Sequence, residues 1–262
     1  MFVPIERVDD PRLAEFRVNE RGLASRSDKR DDAGSGLFLA EGDLVVARAL
    51  DAGCRPYAGL IDGERIPPVA GRLVDAGAQV YVGGEDVRRL VTGLGTPRTI
   101  VALFHRPARC SARELLARCD RVVIVEGVDN PANVGAIVRN AAAFGWNGLL
   151  LDHTSADPLA RRALRVAMGT AFALPHARTR QLIDDLRDLA DRTLYALTPD
   201  PEAIDIGSVA PSGRRAVLIG SERAGLSAAL LALAVPVRIP MAPGVDSLNA
   251  AAAAAVACYA LA

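Results

Sequence analysis

Short unbroken apolar runs alternate along this chain with segments whose apolar positions recur every third or fourth residue. The first pattern suits strands buried on both faces, the second helices with one face in a core. In the first half, Leu37–Gly42, Pro56–Ile61, Gln79–Val82 and Thr99–Phe104 predict strands, and Leu44–Leu50, Val69–Ala76 and Val87–Val91 predict the helices between them. In the second half, strands are predicted at Val122–Glu126, Gly148–Leu151, Thr193–Leu197, Ala216–Ile219 and Val237–Pro240. Helices are predicted at Val134–Phe144, Pro158–Met168, Leu182–Ala190 and Ser227–Leu233, with a last one running from the Ser247-Leu248-Asn249 segment to the C-terminus. Strand–helix repetition of this kind predicts an α/β protein, its second half a parallel sheet covered on both faces.

A boundary falls near residue 107. Pro107 breaks the chain, and Ser111 with Glu114 three residues later forms a capping-box pattern for a new helix. Two domains are therefore expected, 1–107 and 108–262, within the 262 residues. Residues 17–36 are charged and glycine-bearing and read as a mobile, solvated loop. The 31 basic and 31 acidic residues cancel, so the chain lacks the overall positive charge usual in nucleic-acid binding, and any nucleic-acid contact must come from a local patch. From Arg98 to Arg121 six Arg stand against Glu114 and Asp120, either one solvated helix face or part of an RNA-facing rim. Four cysteines without close spacing and three scattered histidines predict no structural zinc and reduced thiols. The N-terminus lacks the basic-then-apolar design of a signal peptide, and the apolar stretch 250–262 is shorter than the roughly 20 residues a membrane span needs. The expectation is a soluble, cytoplasmic protein without metal or membrane partners.

Three short motifs place glycines or polar residues where apolar strands end, the position at which open α/β sheets collect ligands. The first is Asn133-Val134-Gly135 with Arg139 six residues after Asn133. Asn133 can cap a helix or serve a site, and Arg139 is either a surface cation or has an anion to meet. The second runs from Leu218 and Gly220 through Glu222 to Gly225-Leu226, an ordinary glycine-bearing connection or a cradle for an adenosine-like ligand with Glu222 at its reacting end. The third is Ile239-Pro240-Met241 followed by Ser247-Leu248-Asn249, where Asp246 or Ser247 can cap the final helix and Asn249 can bond locally. No GxGxxG fingerprint or P-loop is present, which argues against an ordinary nucleotide-binding α/β enzyme.

In combination and order the three motifs resemble the SpoU (TrmH) family of RNA ribose 2′-O-methyltransferases. The stretch Arg165–Ala171 is similar to a further recurring segment, and residues 37–50 resemble the family's N-terminal substrate-binding domain. One departure is Pro243 where the family commonly has Gly, with Gly244 next and the spacing from Ile239 to Ser247 kept. The resemblance implies an L30e-like α/β domain for RNA followed by a SPOUT α/β domain with a deep trefoil knot. It implies a homodimer whose active site draws on both subunits, and S-adenosylmethionine (S-adenosyl-L-methionine) as cofactor. Carried onto this sequence, the catalytic set is Arg139, Asn133, Glu222, Ser247 and Asn249. The cofactor set is Leu218, Gly220, Ile239, Met241, Ser247 and Leu248. The implied substrate is structured RNA, ribosomal in preference to transfer RNA. The alternative is a non-catalytic RNA-binding relative assisting ribosome assembly, against which the intact Asn133, Arg139, Glu222 and Asn249 argue.

Overall fold

The computed structural model describes residues 1–24, 36–93, 98–187 and 189–262. The chain divides into two compact units, one of residues 1–108 with 159–172, the other of 109–158 with 173–262.

In the first unit the β-branched and aromatic runs form strands β1 (Phe2–Pro4), β2 (Leu37–Glu41), β3 (Pro56–Ile61), β4 (Gln79–Val82) and β5 (Ile100–His105). Helices α1 (Glu20–Leu23), α2 (Asp43–Asp51), α3 (Pro68–Asp75) and α4 (Glu85–Thr92) lie between them in sequence, and a 3-10 turn covers Pro11–Arg17. The sheet order is β1-β4-β3-β5-β2, with β1, β4 and β3 parallel and β5 antiparallel to both of its neighbours. The expected loop over 17–36 is helical at Glu20–Leu23, where Asn19 accepts a bond from the Gly22 amide, and residues 25–35 lie outside the described residues. Leu13, Phe16, Leu39, Leu60 and Leu103 form part of one buried core. Arg88, 3% exposed, is held by Asp62 at 2.7 Å and by the Arg98 carbonyl at 2.7 Å.

The second unit contains α5 (Ala112–Arg118), β6 (Arg121–Val125), α6 (Pro131–Ala143) and β7 (Gly148–Asp152). The chain then supplies α7 (Arg161–Val166) to the first unit. It resumes with β8 (His176–Thr179), α8 (Leu182–Arg187), β9 (Arg192–Leu197), β10 (Ile204–Asp205), β11 (Arg214–Ile219), α9 (Ala228–Leu231), β12 (Val235–Arg238) and α10 (Ala250–Ala260). All seven strands pair in parallel, in the order β10-β12-β9-β11-β6-β7-β8. One face carries Ile124, Leu150, Ala196 and Leu218, which pack with Leu115, Leu186 and Leu230 of α5, α8 and α9. On the other, α6 and α10 lie side by side. Trp146 Nε1 donates to the Cys258 carbonyl at 2.9 Å and Asn140 Nδ2 to the Ala251 carbonyl at 2.9 Å. Burial pushes the Cys258 thiol up to about 12, and all four cysteines are free. Among the described residues no helix is long and apolar enough to cross a membrane.

The capping box forms as expected, Ser111 Oγ accepting from the Glu114 amide and Glu114 Oε2 from the Ser111 amide at 2.8 Å. Several boundaries differ. The helix expected over 158–168 is confined to Arg161–Val166, and Met168 turns the chain with a φ of 54°. The last strand is Val235–Arg238 rather than 237–240, because its pairing with β9 runs from Val235↔Tyr195 to Val237↔Leu197 and leaves Ile239 beyond the sheet. Strands β1, β8 and β10 were not expected. They are short, and β8 (His-Ala-Arg-Thr) carries no apolar run.

Candidate functional site

The carboxyl ends of β9, β11 and β12 open into a cavity of about 470 Å³. Its walls are the loops at Leu197–Pro199, Ile219–Leu226 and Ile239–Leu248, with the first turns of α10. Of the expected catalytic and cofactor residues, six line it: Gly220, Glu222, Ile239, Met241, Ser247 and Leu248. Leu218 does not. It is wholly buried in β11, in the core shared with α5, α8 and α9.

The loop after β11 doubles back on itself. The Gly225 amide donates to the Ser221 carbonyl at 3.0 Å, the Ala224 amide to Ser221 Oγ at 3.2 Å, and Gly225 takes a φ of 66°. A Cβ on Gly220 would stand 2.2 Å from the Gly225 carbonyl carbon and 2.3 Å from the Leu226 nitrogen. Only glycine fits there, and the reason is space rather than φ. The return limb is held by Glu126, whose Oε2 accepts from the Ser227 amide at 2.7 Å.

A chain of side chains crosses from this loop to the two helices on the other face. Asn133 Nδ2 donates to Glu222 Oε1, and Asn249 Nδ2 donates to Asn133 Oδ1 at 3.2 Å. Neither Asn133 nor Ser247 is a helix cap. Asn130 caps α6 by accepting from the Ala132 amide, with Pro131 at the first helical position, so Asn133 sits inside the first turn with its amide free for Glu222. Asn249 caps α10 through Oδ1 and the Ala251 amide at 2.9 Å, so one amide group both starts the helix and reaches Asn133. Ser247 is exposed on the cavity rim. Arg139 is not part of this chain: six residues beyond Asn133, it is exposed and makes no ion pair or hydrogen bond among the described residues. A helical step of about 100° per residue turns it roughly 120° away from Asn133.

A second, more polar cavity of about 270 Å³ adjoins the first and shares Ser221, Glu222 and Arg223 with it. Its far wall is Gly127, Asp129 and Asn130. That wall is tethered from β7: Asp152 accepts from the amides of Gly127, Thr154 and Ser155 at 3.0 Å each and from the hydroxyls of Thr154 and Ser155. Burial pushes the Asp152 carboxyl up, but bonds from Ser155, Thr154 and Gly127 outweigh it and hold the group below the usual carboxylate range. Sequence reasoning did not single out Glu126, Asp129, Asn130 or Asp152. The only signal was their place at strand ends.

The six arginines from Arg98 to Arg121 divide by role. Arg106 is buried and donates to the Leu37 carbonyl at 3.1 Å, Arg109 is 7% exposed and paired with Asp157 at 3.4 Å, and Arg113 and Arg118 are exposed on α5. Among the described residues no three His, Cys, Asp or Glu side chains are placed to hold a metal ion.

The SpoU rRNA Methylase family matches residues 120–259. An uncharacterized tRNA/rRNA methyltransferase of Mycobacterium tuberculosis (strain ATCC 25618 / H37Rv) is 38% identical, over 96% of this chain and 88% of its own length. The 23S rRNA (guanosine(2553)-2′-O)-methyltransferase of Bacillus subtilis is 30% identical, over 88% of this chain and 90% of its own. Among solved structures, the AdoMet-bound rRNA methyltransferase of Sinorhizobium meliloti superposes with a TM-score of 0.83 at 27% identity, covering 99% of this chain and 97% of that one.

Proposed function

This chain belongs to the SpoU rRNA methylase family, and we propose that it transfers a methyl group from S-adenosylmethionine to a ribose 2′-hydroxyl of structured RNA, ribosomal in preference to transfer RNA. The observation that carries this reading is the shared strip Ser221–Arg223. It forms one wall of both cavities, so a cofactor in the first and a nucleotide in the second would meet across it. The larger cavity suits the cofactor: its volume is in the range of small-molecule sites, and its lining offers apolar side chains with backbone groups where Gly220 lacks a Cβ. Ile239, Met241 and Leu248 would hold the adenosine, and Gly220 would let the backbone approach it. Leu218 acts behind the site, by fixing the end of β11. When bound, the cofactor supplies an electrophilic methyl on a sulfonium.

The chain's own residues align the hydroxyl. Asn133, held in turn by Asn249, fixes the Glu222 carboxylate, which accepts a substrate hydroxyl bond, and Ser247 and Asn249 hold the target nucleotide where it meets the rim of the cofactor cavity. A guanidinium is a poor general base. The role of Arg139 is electrostatic: it binds the phosphate next to the target and stabilises the developing alkoxide. Because Arg139 faces away from Asn133, we assign it to the site of a partner subunit in a homodimer, formed through the α6 and α10 face. The first unit binds RNA as an L30e-like domain, and the segment after β12 threads the trefoil knot of the family. The place of work is the cytoplasm.

The test is transfer of labelled methyl to total RNA from a methylation-deficient host, with Arg139→Ala alongside. The expected outcome is label that resists alkaline cleavage, a roughly 10²–10³-fold loss in the variant, and unchanged cofactor affinity. Retained turnover in Arg139→Ala would sink the assignment.

A further inference from the structure

The first unit carries a feature that the chemistry of the second does not use. Strands β3 and β5 pair Pro56 with Phe104 and Ala58 with Leu103, so Tyr57 is one residue more on β3 than β5 can match. That is a β-bulge, a device that re-aims a side chain. Pro56, without an N–H, stands where the ladder is interrupted, as proline in a strand must. The bulge leaves Tyr57 45% exposed in a chain where only 4% of residues are aromatic. Its ring meets His105 edge to face, with centroids 5.7 Å apart and planes at 79°. The His105 amide is tied to the Arg55 carbonyl at 2.9 Å, so backbone bonding fixes the three residues together. Arg55 itself is exposed and makes no ion pair among the described residues.

We infer that Tyr57, braced by His105 and flanked by Arg55, is a stacking platform for an unpaired base of the RNA substrate. This rests on the RNA reading above. Sequence-tolerant RNA contacts of this type pair an aromatic face for the base with a guanidinium for the phosphate. The brace matters because a ring already held edge-on loses little freedom when a base lands on its face. Burial, and then the nearby Arg55, lower the His105 pKa, which favours the uncharged ring beside that guanidinium. A buried aromatic would have served the core. The bulge instead lifts this one out of it.

The test uses the full chain and two labelled single strands of equal length, a mixed-sequence oligoribonucleotide and its abasic counterpart. Tyr57→Ala is expected to bind the base-bearing strand roughly tenfold more weakly and the abasic strand unchanged. Tyr57→Trp should keep wild-type affinity, and cofactor titration should be the same for all three proteins, which shows each is folded. Equal affinity of wild type and Tyr57→Ala for the base-bearing strand would overturn the platform. So would an equal loss on both strands, no binding of either strand by wild type, or a change confined to oligomeric state. Absence of methyl transfer by wild type would instead count against the enzymatic reading, and the base-selective binding would still decide this one.

Discussion

Gly220 owes its identity to the backbone that folds over it. All three of the nearest atoms a Cβ would meet are main-chain atoms of Gly225 and Leu226, which cannot swing aside as a side chain would. Gly220→Ala should therefore push the 221–226 loop open, costing about 1–3 kcal/mol of stability and weakening cofactor binding. Thermal unfolding and calorimetric titration check both, and an alanine variant with unaltered Tm and affinity would show that the loop yields freely. At this scale the sequence was legible in part. It marked Asn133 and Asn249 as important but could not say which asparagine caps a helix. Asn130 and Asn133 are three residues apart and both precede apolar periodicity, and only the side-chain bonds assign the cap to the first and the Glu222 contact to the second. Arg139 was legible as a residue type and not as a direction, since its use depends on what faces α6.

At the scale of elements, the loop from Gly127 to Asn130 keeps its shape through Asp152 at the end of the neighbouring strand β7. The Asp152 carboxyl lies below its ordinary value in the folded protein. A depressed folded pKa contributes stability that is complete above the unfolded value of about 4 and is lost as pH falls through the folded value. Asp152→Asn should lower the Tm at neutral pH and flatten the acid limb of the stability curve below about pH 4. Denaturant unfolding between neutral and acid pH measures it, and parallel curves for the two proteins would remove Asp152 from the account. Elements such as β6, β9 and β11 were readable because their apolar runs are buried on both faces. The edge strand β8 escaped notice because half of its side chains are not, and α7 was overextended because apolar spacing continues past the residue where Met168 turns.

For the whole molecule, the exposed apolar surface of α10 is the feature that bears on the proposed homodimer. Tyr259 is 71% exposed although its ring meets Phe144 at 5.7 Å, and Val256 on the same helix is 38% exposed. If this is the dimer face, Tyr259→Asp should yield monomers by light scattering and lose methyl transfer together with dimerisation, because Arg139 would no longer reach a second site. A dimeric Tyr259→Asp protein would place the subunit contact elsewhere. The parallel sheet of the second unit was legible from periodicity. The interleaving of the two units was not, because nothing local in a helix announces which core it will join.

That interleaving bears on how the protein is made. Helix α7 belongs to the first unit, where Arg161 and Arg165 approach the Glu41 carboxylate at 3.6 and 3.8 Å and Arg48 bonds the Met168 carbonyl. Glu41 is 2% exposed in its side chain, and among the described residues its counter-ions are those two guanidiniums. A ribosome adding about 5–20 residues per second delivers them seconds after residue 108. These ion pairs of the first unit therefore form only after β6, α6 and β7 have emerged. An isolated fragment ending at 108 would lack both guanidiniums.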